Sequence, residues 1–403
     1  MRVLVTSPSR FAITSDGNLW TPNPSQDYKL WSRYLDIYDE VHLLVRAKSH
    51  STAPKEWKIA TGPGIKAVPI LFFIGPWEFI KNYINIRKTI SKALVNVEAI
   101  QLRIPCTIAT EVWRLLPSER PYGAEVIADP YDVFAPGSIK HPLRPFFRWL
   151  FPQELKQQCS QATAALYVTK QALQRRYPCP NYSADGISDV CLSEANLVST
   201  ARPLRQKASS VSLIFVGTMA QLYKAPDVLI NAVSVCVQEG LDLKLIMVGD
   251  GKHRPELEAQ AEVLGLKERI YFRGQLASSD AVRTELDQAE LFVLPSYQEG
   301  LPRAMIEAMA RALPCIGSTV GGIPELLPPE DMVPPGDVVA LARKIREVVT
   351  DPERMARMST RNLEIAKEYT DEVLQKQRIT FYRYVREQTE LWLSSKNEKA
   401  IVA

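Results

Sequence analysis

The residues with the clearest chemical potential lie in Ser296-Tyr297-Gln298-Glu299-Gly300-Leu301-Pro302-Arg303-Ala304-Met305-Ile306-Glu307-Ala308-Met309-Ala310. Glu299 falls in a loop after an apolar strand, and Gly300-Leu301-Pro302 opens a helix, with proline at a position whose N–H would be unbonded anyway. The free backbone N–H groups of such a helix start suit an anion, which makes a phosphorylated ligand the first expectation. Arg303, Glu307 and Arg311 follow at i, i+4 and i+8. By periodicity alone they read as a solvated Arg-Glu-Arg ladder opposite the apolar Ala304, Met305, Ala308 and Met309 face.

These residues need a scaffold, and the second half of the chain supplies one by pattern. Val211–Val216, Leu243–Val248, Arg269–Arg273, Leu291–Leu294 and Pro314–Gly317 are short continuous apolar runs separated by helical stretches, the signature of a buried parallel sheet. The first half repeats the style less clearly, with strands from Val3 and Val41, a helix over Tyr28 to Tyr38, and later elements around Lys88–Ala99 and Gln153–Ala162. Asp189 to Ser210 is polar and holds Pro203 with Arg202, Arg205 and Lys207, which places a linker there. The expected division is 1–195 as an N-terminal domain, 196–210 as linker, 211–370 as a C-terminal domain, and 371–403 as a helix returning to the N-domain with a loose end. Both domains are expected to be α/β, Rossmann-like and doubly wound, facing across a cleft, with ligands beyond the carboxyl ends of the strands.

With 403 residues, 46% hydrophobic and 23% charged, the chain can bury full cores and is neither fibrous nor disordered. Its net charge of +4 is too small to suggest nucleic acid. Residues 1–200 hold 23 Lys and Arg against 17 Asp and Glu, so the positive excess lies wholly in the first half. The six cysteines form no C-x-x-C pair and no cluster with histidine, which predicts reduced thiols and no zinc site. No apolar run is long enough to span a membrane, and the start lacks a signal-peptide pattern, so the expected location is the cytoplasm.

The motifs in order resemble retaining glycosyltransferase family 4, on the two-domain GT-B fold and of the bacterial envelope-polysaccharide type. They are Phe-Val-Gly217 followed by Lys224, Met-Val-Gly249-Asp250-Gly251, Phe-Arg-Gly-Gln275-Leu276, Leu-Pro-Ser-x-x-Glu299-Gly300, and Gly321-Gly322-Ile323-Pro324-Glu325. Glu299 and Glu307 form the E-x7-E pair of that family. The resemblance implies that Glu307 holds donor ribose hydroxyls and Glu299 sugar hydroxyls, that Gly300 and Leu301 N–H groups meet a diphosphate, and that Lys224 offsets leaving-group charge. The base is expected against Gln275 and Leu276. Gly249 is either part of a phosphate loop or of a tight strand-to-helix turn. Thr218 stands where the family usually has an arginine, so one expected cation is missing and Lys170 is a candidate substitute.

The N-terminal half departs further. Gly17 is the best candidate to close over the diphosphate. Asp129 stands near the usual histidine, either as a group that meets the acceptor hydroxyl or as a helix cap before Pro130. Lys140–Phe151 and Lys81–Lys92 mix basic and apolar residues, as surfaces resting on an anionic membrane do. The resemblance implies a retaining hexosyltransferase without a metal or other cofactor. It would move a sugar, most commonly glucose, from a UDP-sugar to a cell-envelope glycan or lipid-linked sugar acceptor. A sugar-nucleotide 2-epimerase of similar architecture and a non-catalytic nucleotide-sugar binder are the competing readings.

Overall fold

The computed structural model describes residues 1–53, 55–135, 141–204, 210–276 and 278–402. Residues 205–209, with Arg205 and Lys207 of the expected linker cluster, and Lys140 of the basic-aromatic stretch lie outside them. Two sheets form. The first holds nine strands: β1 Arg2–Ile13, β2 Leu19–Thr21, β3 Glu40–Ser49, β4 Lys58–Ile59, β5 Ile65–Leu71, β6 Ala99–Ile104, β7 Gly123–Val126, β8 Ala164–Tyr167 and β9 Tyr182–Ala184. The second holds six: β10 Val211–Val216, β11 Leu243–Val248, β12 Ile270–Gly274, β13 Leu291–Leu294, β14 Cys315–Ser318 and β15 Met332–Val333.

The second sheet is parallel throughout, in the order β12-β11-β10-β13-β14-β15. Its strands are apolar on both faces because helices cover both, and β13 and β14 are buried at every position. The order reverses between β10 and β13, and the crevice beyond that reversal is where a doubly wound sheet takes ligands. The first sheet reverses between β1 and β6: β3 and β5 lie to one side, β6 to β9 to the other. It is mixed rather than purely parallel. β1 runs past β6 and, still paired with β3 on one side, forms an antiparallel hairpin with β2, which in turn pairs with β4.

Several elements differ from expectation. The Tyr28–Tyr38 helix is a short α-helix, Tyr28–Ser32, followed by a tighter turn over Arg33–Asp36. The two mixed basic and apolar stretches lie in longer helices than expected, Gly75–Val95 and Arg144–Gln161. The helix Asp371–Val402 packs on the first domain, with Tyr382 stacked on Tyr34 at 4.6 Å between ring centres.

Beneath that helix lies a buried ionic network. Arg103 on β6 pairs with Glu125 on β7 at 2.7 Å and with Asp189, which also accepts from Arg33 at 3.0 Å. Burial works to raise Asp189, but Arg103 and Arg33 hold it well below the usual carboxylate range. Removing one partner would strand an unpaired buried charge.

Candidate functional site

Lys224 and Glu299 flank the reversal point of the second sheet. Lys224 ends the turn Leu222–Lys224, and Ala225 follows in left-handed geometry (φ 54°) before the helix Pro226–Gln238. Gly217, at the end of β10, has no side chain to obstruct it; an added Cβ would lie 2.4 Å from Lys224 Cδ. The lysine stem therefore crosses the strand end, and its Nζ donates to Glu299 Oε1 at 2.8 Å. Ser296 Oγ donates to the same oxygen at 2.8 Å. Among the described residues both hydrogen bonds to this carboxylate fall on Oε1, which leaves Oε2 for a ligand hydroxyl. Burial would lower the lysine's affinity for its proton, but Glu299 outweighs it and holds the ammonium charged.

Gly300, Leu301 and Pro302 lead into the helix Arg303–Ala310, which has no side-chain cap at its start. Gly300 lies against the first domain, where a Cβ would come within 2.5 Å of the Ile127 carbonyl. One turn along, Glu307 is pushed above the usual carboxylate range by burial, with Arg303 and Arg283 opposing. The solvated ladder expected from periodicity does not form. Arg311 turns away to Asp287, at 2.6 and 2.8 Å, and no Arg303–Glu307 ion pair occurs among the described residues. Arg303 is half-buried, and its charge acts on both Lys224 and Glu307. Sequence reasoning had consigned it to a surface stripe; the signal that could have found it is its place as the first residue of the anion-suited helix.

The glycines at the ends of β10, β11 and β12 form one backbone-to-backbone floor. Gly249 donates to Gly274 O at 2.9 Å, and a Cβ at Gly249 would meet Gly217 O at 1.9 Å. Gly249-Asp250-Gly251 is thus explained as a close packing turn, since Gly251 also abuts the Ala220 backbone. Thr218 Oγ1 accepts from Ala220 N at 3.1 Å and closes the adjoining turn. Gln275 is exposed and Leu276 half-buried at the rim of this floor.

Across the cleft, Asp129 takes the capping alternative, a correction to its expected role at the acceptor hydroxyl. It caps Pro130–Val133 by accepting from Tyr131 N at 2.8 Å, and it also binds Arg176 and the Tyr177 hydroxyl. Lys170, the candidate substitute for the missing arginine, pairs its ammonium with Glu368. Gly17 occupies the exposed tip of the β1–β2 hairpin in left-handed geometry (φ 81°), with open space around it.

An open cleft of about 500 Å³ runs between the domains, lined by Asp129, Asp132, Arg175 and Arg176 on one side and by Thr319 to Gly321 on the other. Gly321 abuts the Glu299 carbonyl, so this cleft adjoins the Lys224–Glu299 pair. Glu325, in the same loop as Gly321, reaches across to the first domain. Its carboxylate accepts from the backbone N–H groups of Lys170, of Gln171 at 2.9 Å and of Ala172 at 2.7 Å.

Two doubly wound domains with an acid–lysine pair at the second sheet's reversal point define a GT-B protein, and the comparisons agree. Residues 210–351 match the model of the family described as Glycosyl transferases group 1, so this stretch of the second domain is similar to that family's domain. The chain is 26% identical to Protein CapJ of Staphylococcus aureus over 329 residues, 80% of each chain. It is 30% identical to N-acetyl-alpha-D-glucosaminyl L-malate synthase of Bacillus anthracis over 174 residues, 42% of this chain and 44% of that one. Among solved structures, sucrose-phosphate synthase from Thermosynechococcus elongatus aligns with a TM-score of 0.72 at 17% identity, over 96% of this chain and 99% of that one. Anabaena Alr3699/HepE in complex with UDP and glucose aligns with a TM-score of 0.62 at 17% identity, over 94% and 98%.

Proposed function

We propose that this glycosyltransferase is retaining and metal-independent, and that it moves a hexose, glucose, from a UDP-sugar to a hydroxyl of a cell-envelope polysaccharide or glycolipid at the cytoplasmic face of the membrane. The observation that carries the reading is the buried Lys224–Glu299 pair beside an uncapped helix start, adjoining a cleft between domains. The bound donor would lay its diphosphate against the N–H groups of Gly300 and Leu301, its ribose on Glu307 and its sugar hydroxyls on Glu299 Oε2. As the bond from the sugar carbon to the phosphate oxygen breaks, the acceptor oxygen bonds to the same face of that carbon. The acceptor proton passes to the departing phosphate oxygen, whose charge Lys224 and Arg303 stabilise. No side chain serves as covalent nucleophile, and donor stabilisation by two cations fits a reaction without Mg²⁺. The neighbour crystallised with UDP and glucose supports the donor class.

The helix Gly75–Val95 supports a lipid-side acceptor. Trp77, Ile80 and Ile84 are 82%, 61% and 72% exposed beside Lys81, Lys88 and Lys92. Phe146 and Trp149, 50% and 62% exposed, stand beside Arg144 and Arg148 near the start of the helix Arg144–Gln161. In parallel α/β units the helix starts lie at the strand ends that face the cleft, so both patches sit on its rim.

Nucleotide release from UDP-glucose, UDP-galactose, UDP-N-acetylglucosamine, GDP-mannose and ADP-glucose, with EDTA present, tests the reading. Release from UDP-glucose that is lost in Lys224→Ala and Glu299→Ala is expected. Release dependent on added metal, or an isomerised sugar nucleotide as product, would overturn it.

A further inference from the structure

The first sheet carries a pair of neighbouring arginines that the transfer chemistry does not use. Arg10 on β1 and Arg46 on β3 are register partners, so two guanidinium groups stand side by side on neighbouring strands. Like charges directly opposite in a sheet repel and are retained at a cost in stability. Among the described residues no carboxylate lies within ion-pair distance of either. Arg46 is half-buried: Nη2 donates to the Pro8 carbonyl at 2.5 Å, the guanidinium lies 4.8 Å from the Phe73 ring centre, and Nε is buried without a hydrogen-bond partner. Burial lowers Arg46 from the usual arginine range, and Arg10 lowers it further.

The position is as telling as the charge. β1 pairs β3 on one side and β6 on the other, and the order of the sheet reverses between β1 and β6. Arg10 lies just past the irregularity between Thr6 and Arg10, beyond the last β1–β6 partners, Val5 and Gln101, while β1 and β3 stay paired on to Ile13 and Ser49. It therefore stands on the stretch of β1 that outruns β6, beside the point where the sheet order reverses. Two strands over, β7 leads to Ile127, whose carbonyl meets Gly300 of the donor loop. Two to three strand spacings put the arginine pair about 10 to 14 Å from that contact, on the acceptor side of the cleft.

We infer that Arg10 and Arg46 form a binding site for a phosphoryl oxyanion carried by the acceptor, set one to two sugar lengths from the transfer point. Two arginine forks matched to phosphate oxygens would relieve the repulsion between them and satisfy the unbonded Nε. The assignment to the acceptor rests on the proposed transferase reading; the anion site itself does not.

Thermal unfolding in inorganic pyrophosphate separates the two. The wild-type midpoint should rise by about 2 °C once the ligand is tenfold above its dissociation constant. The rise should persist in Lys224→Ala, which weakens the donor side, and shrink in Arg10→Glu to the part the donor side alone supplies, because an exposed residue is changed there and an ion pair with Arg46 replaces the anion. Arg46→Lys should weaken the response without abolishing it. A rise absent from the wild type, equal in Arg10→Glu, or lost in Lys224→Ala would overturn the site. Sedimentation with phosphatidylcholine vesicles containing phosphatidic acid identifies the source. Binding reduced in Arg10→Glu assigns the phosphoryl group to a lipid headgroup, and unchanged vesicle binding with a reduced pyrophosphate response assigns it to a soluble acceptor.

Discussion

Nζ of Lys224 lies 2.8 Å from Oε1 of Glu299, and the two side chains are only 15% and 8% exposed. The pair joins the loops after β10 and β13 across the reversal point of the sheet. Each group neutralises the other, and in the proposed donor complex the carboxylate's second oxygen and the ammonium would both act on the donor.

Lys224→Met removes the charge while keeping the bulk. It should lower nucleotide release by about 100-fold, and it should cost about 3 kcal/mol in stability because Glu299 is left buried and unpaired. The double variant Lys224→Met/Glu299→Gln should recover most of that stability without recovering activity. Urea unfolding with release kinetics on the same samples checks both, and a double variant no more stable than the single would contradict the coupling.

In the proposed reaction Arg303, whose charge acts on Lys224 and Glu307, takes the place of the cation missing at Thr218. Arg303→Ala should raise the donor KM about tenfold, the loss of one charge-assisted contact, and Thr218→Arg in that background should recover part of it. An unchanged KM in Arg303→Ala would return the residue to the solvent-facing role that helical periodicity assigns it.

Glu325 binds three N–H groups of the opposite domain and is the side chain best placed to hold the cleft closed. Glu325→Ala should leave donor affinity within a few-fold, lower turnover about tenfold and increase the radius of gyration in small-angle scattering. Equal radii for variant and wild type would show that the clamp is dispensable.

Burial, with Asp129 beside it, pushes Asp132 up to about 6, Arg176 opposing. A carboxyl that holds its proton more tightly when folded stabilises the protein only while that proton is bound. Stability should therefore fall by about 2 to 3 kcal/mol as pH rises from 4 through 6. Asp132→Asn should abolish that part of the pH dependence in denaturant melts. Parallel profiles for variant and wild type would refute the assignment.

Trp77, Ile80 and Ile84 are exposed, so their replacement by serine should leave folding intact. It should reduce partitioning to anionic vesicles at least tenfold, through lost apolar burial. Retained binding would move the lipid contact to the Arg144–Gln161 helix.

The second domain was legible residue by residue. Its strands are continuous apolar runs because both faces are covered, and its loop motifs recur at the spacing the chain needs to bring Lys224 and Glu299 together. The first domain was less so: β1 runs on into an antiparallel hairpin, and the helices Gly75–Val95 and Arg144–Gln161 expose apolar residues that break the usual inside-outside pattern.

Sequence by itself determined the fold class and the order of the elements, because these depend on local periodicity; the roles expected of Glu299 and Glu307 came from the motif resemblance, since periodicity alone gave a solvated ladder. Only the tertiary structure decided what each charge faces. Asp129 turned to Arg176, Lys170 to Glu368, Glu325 crossed the cleft, and Arg10 came to lie beside Arg46, pairings between 36 and 198 residues apart. Such partners are chosen by sheet order and domain closure, which no local pattern encodes.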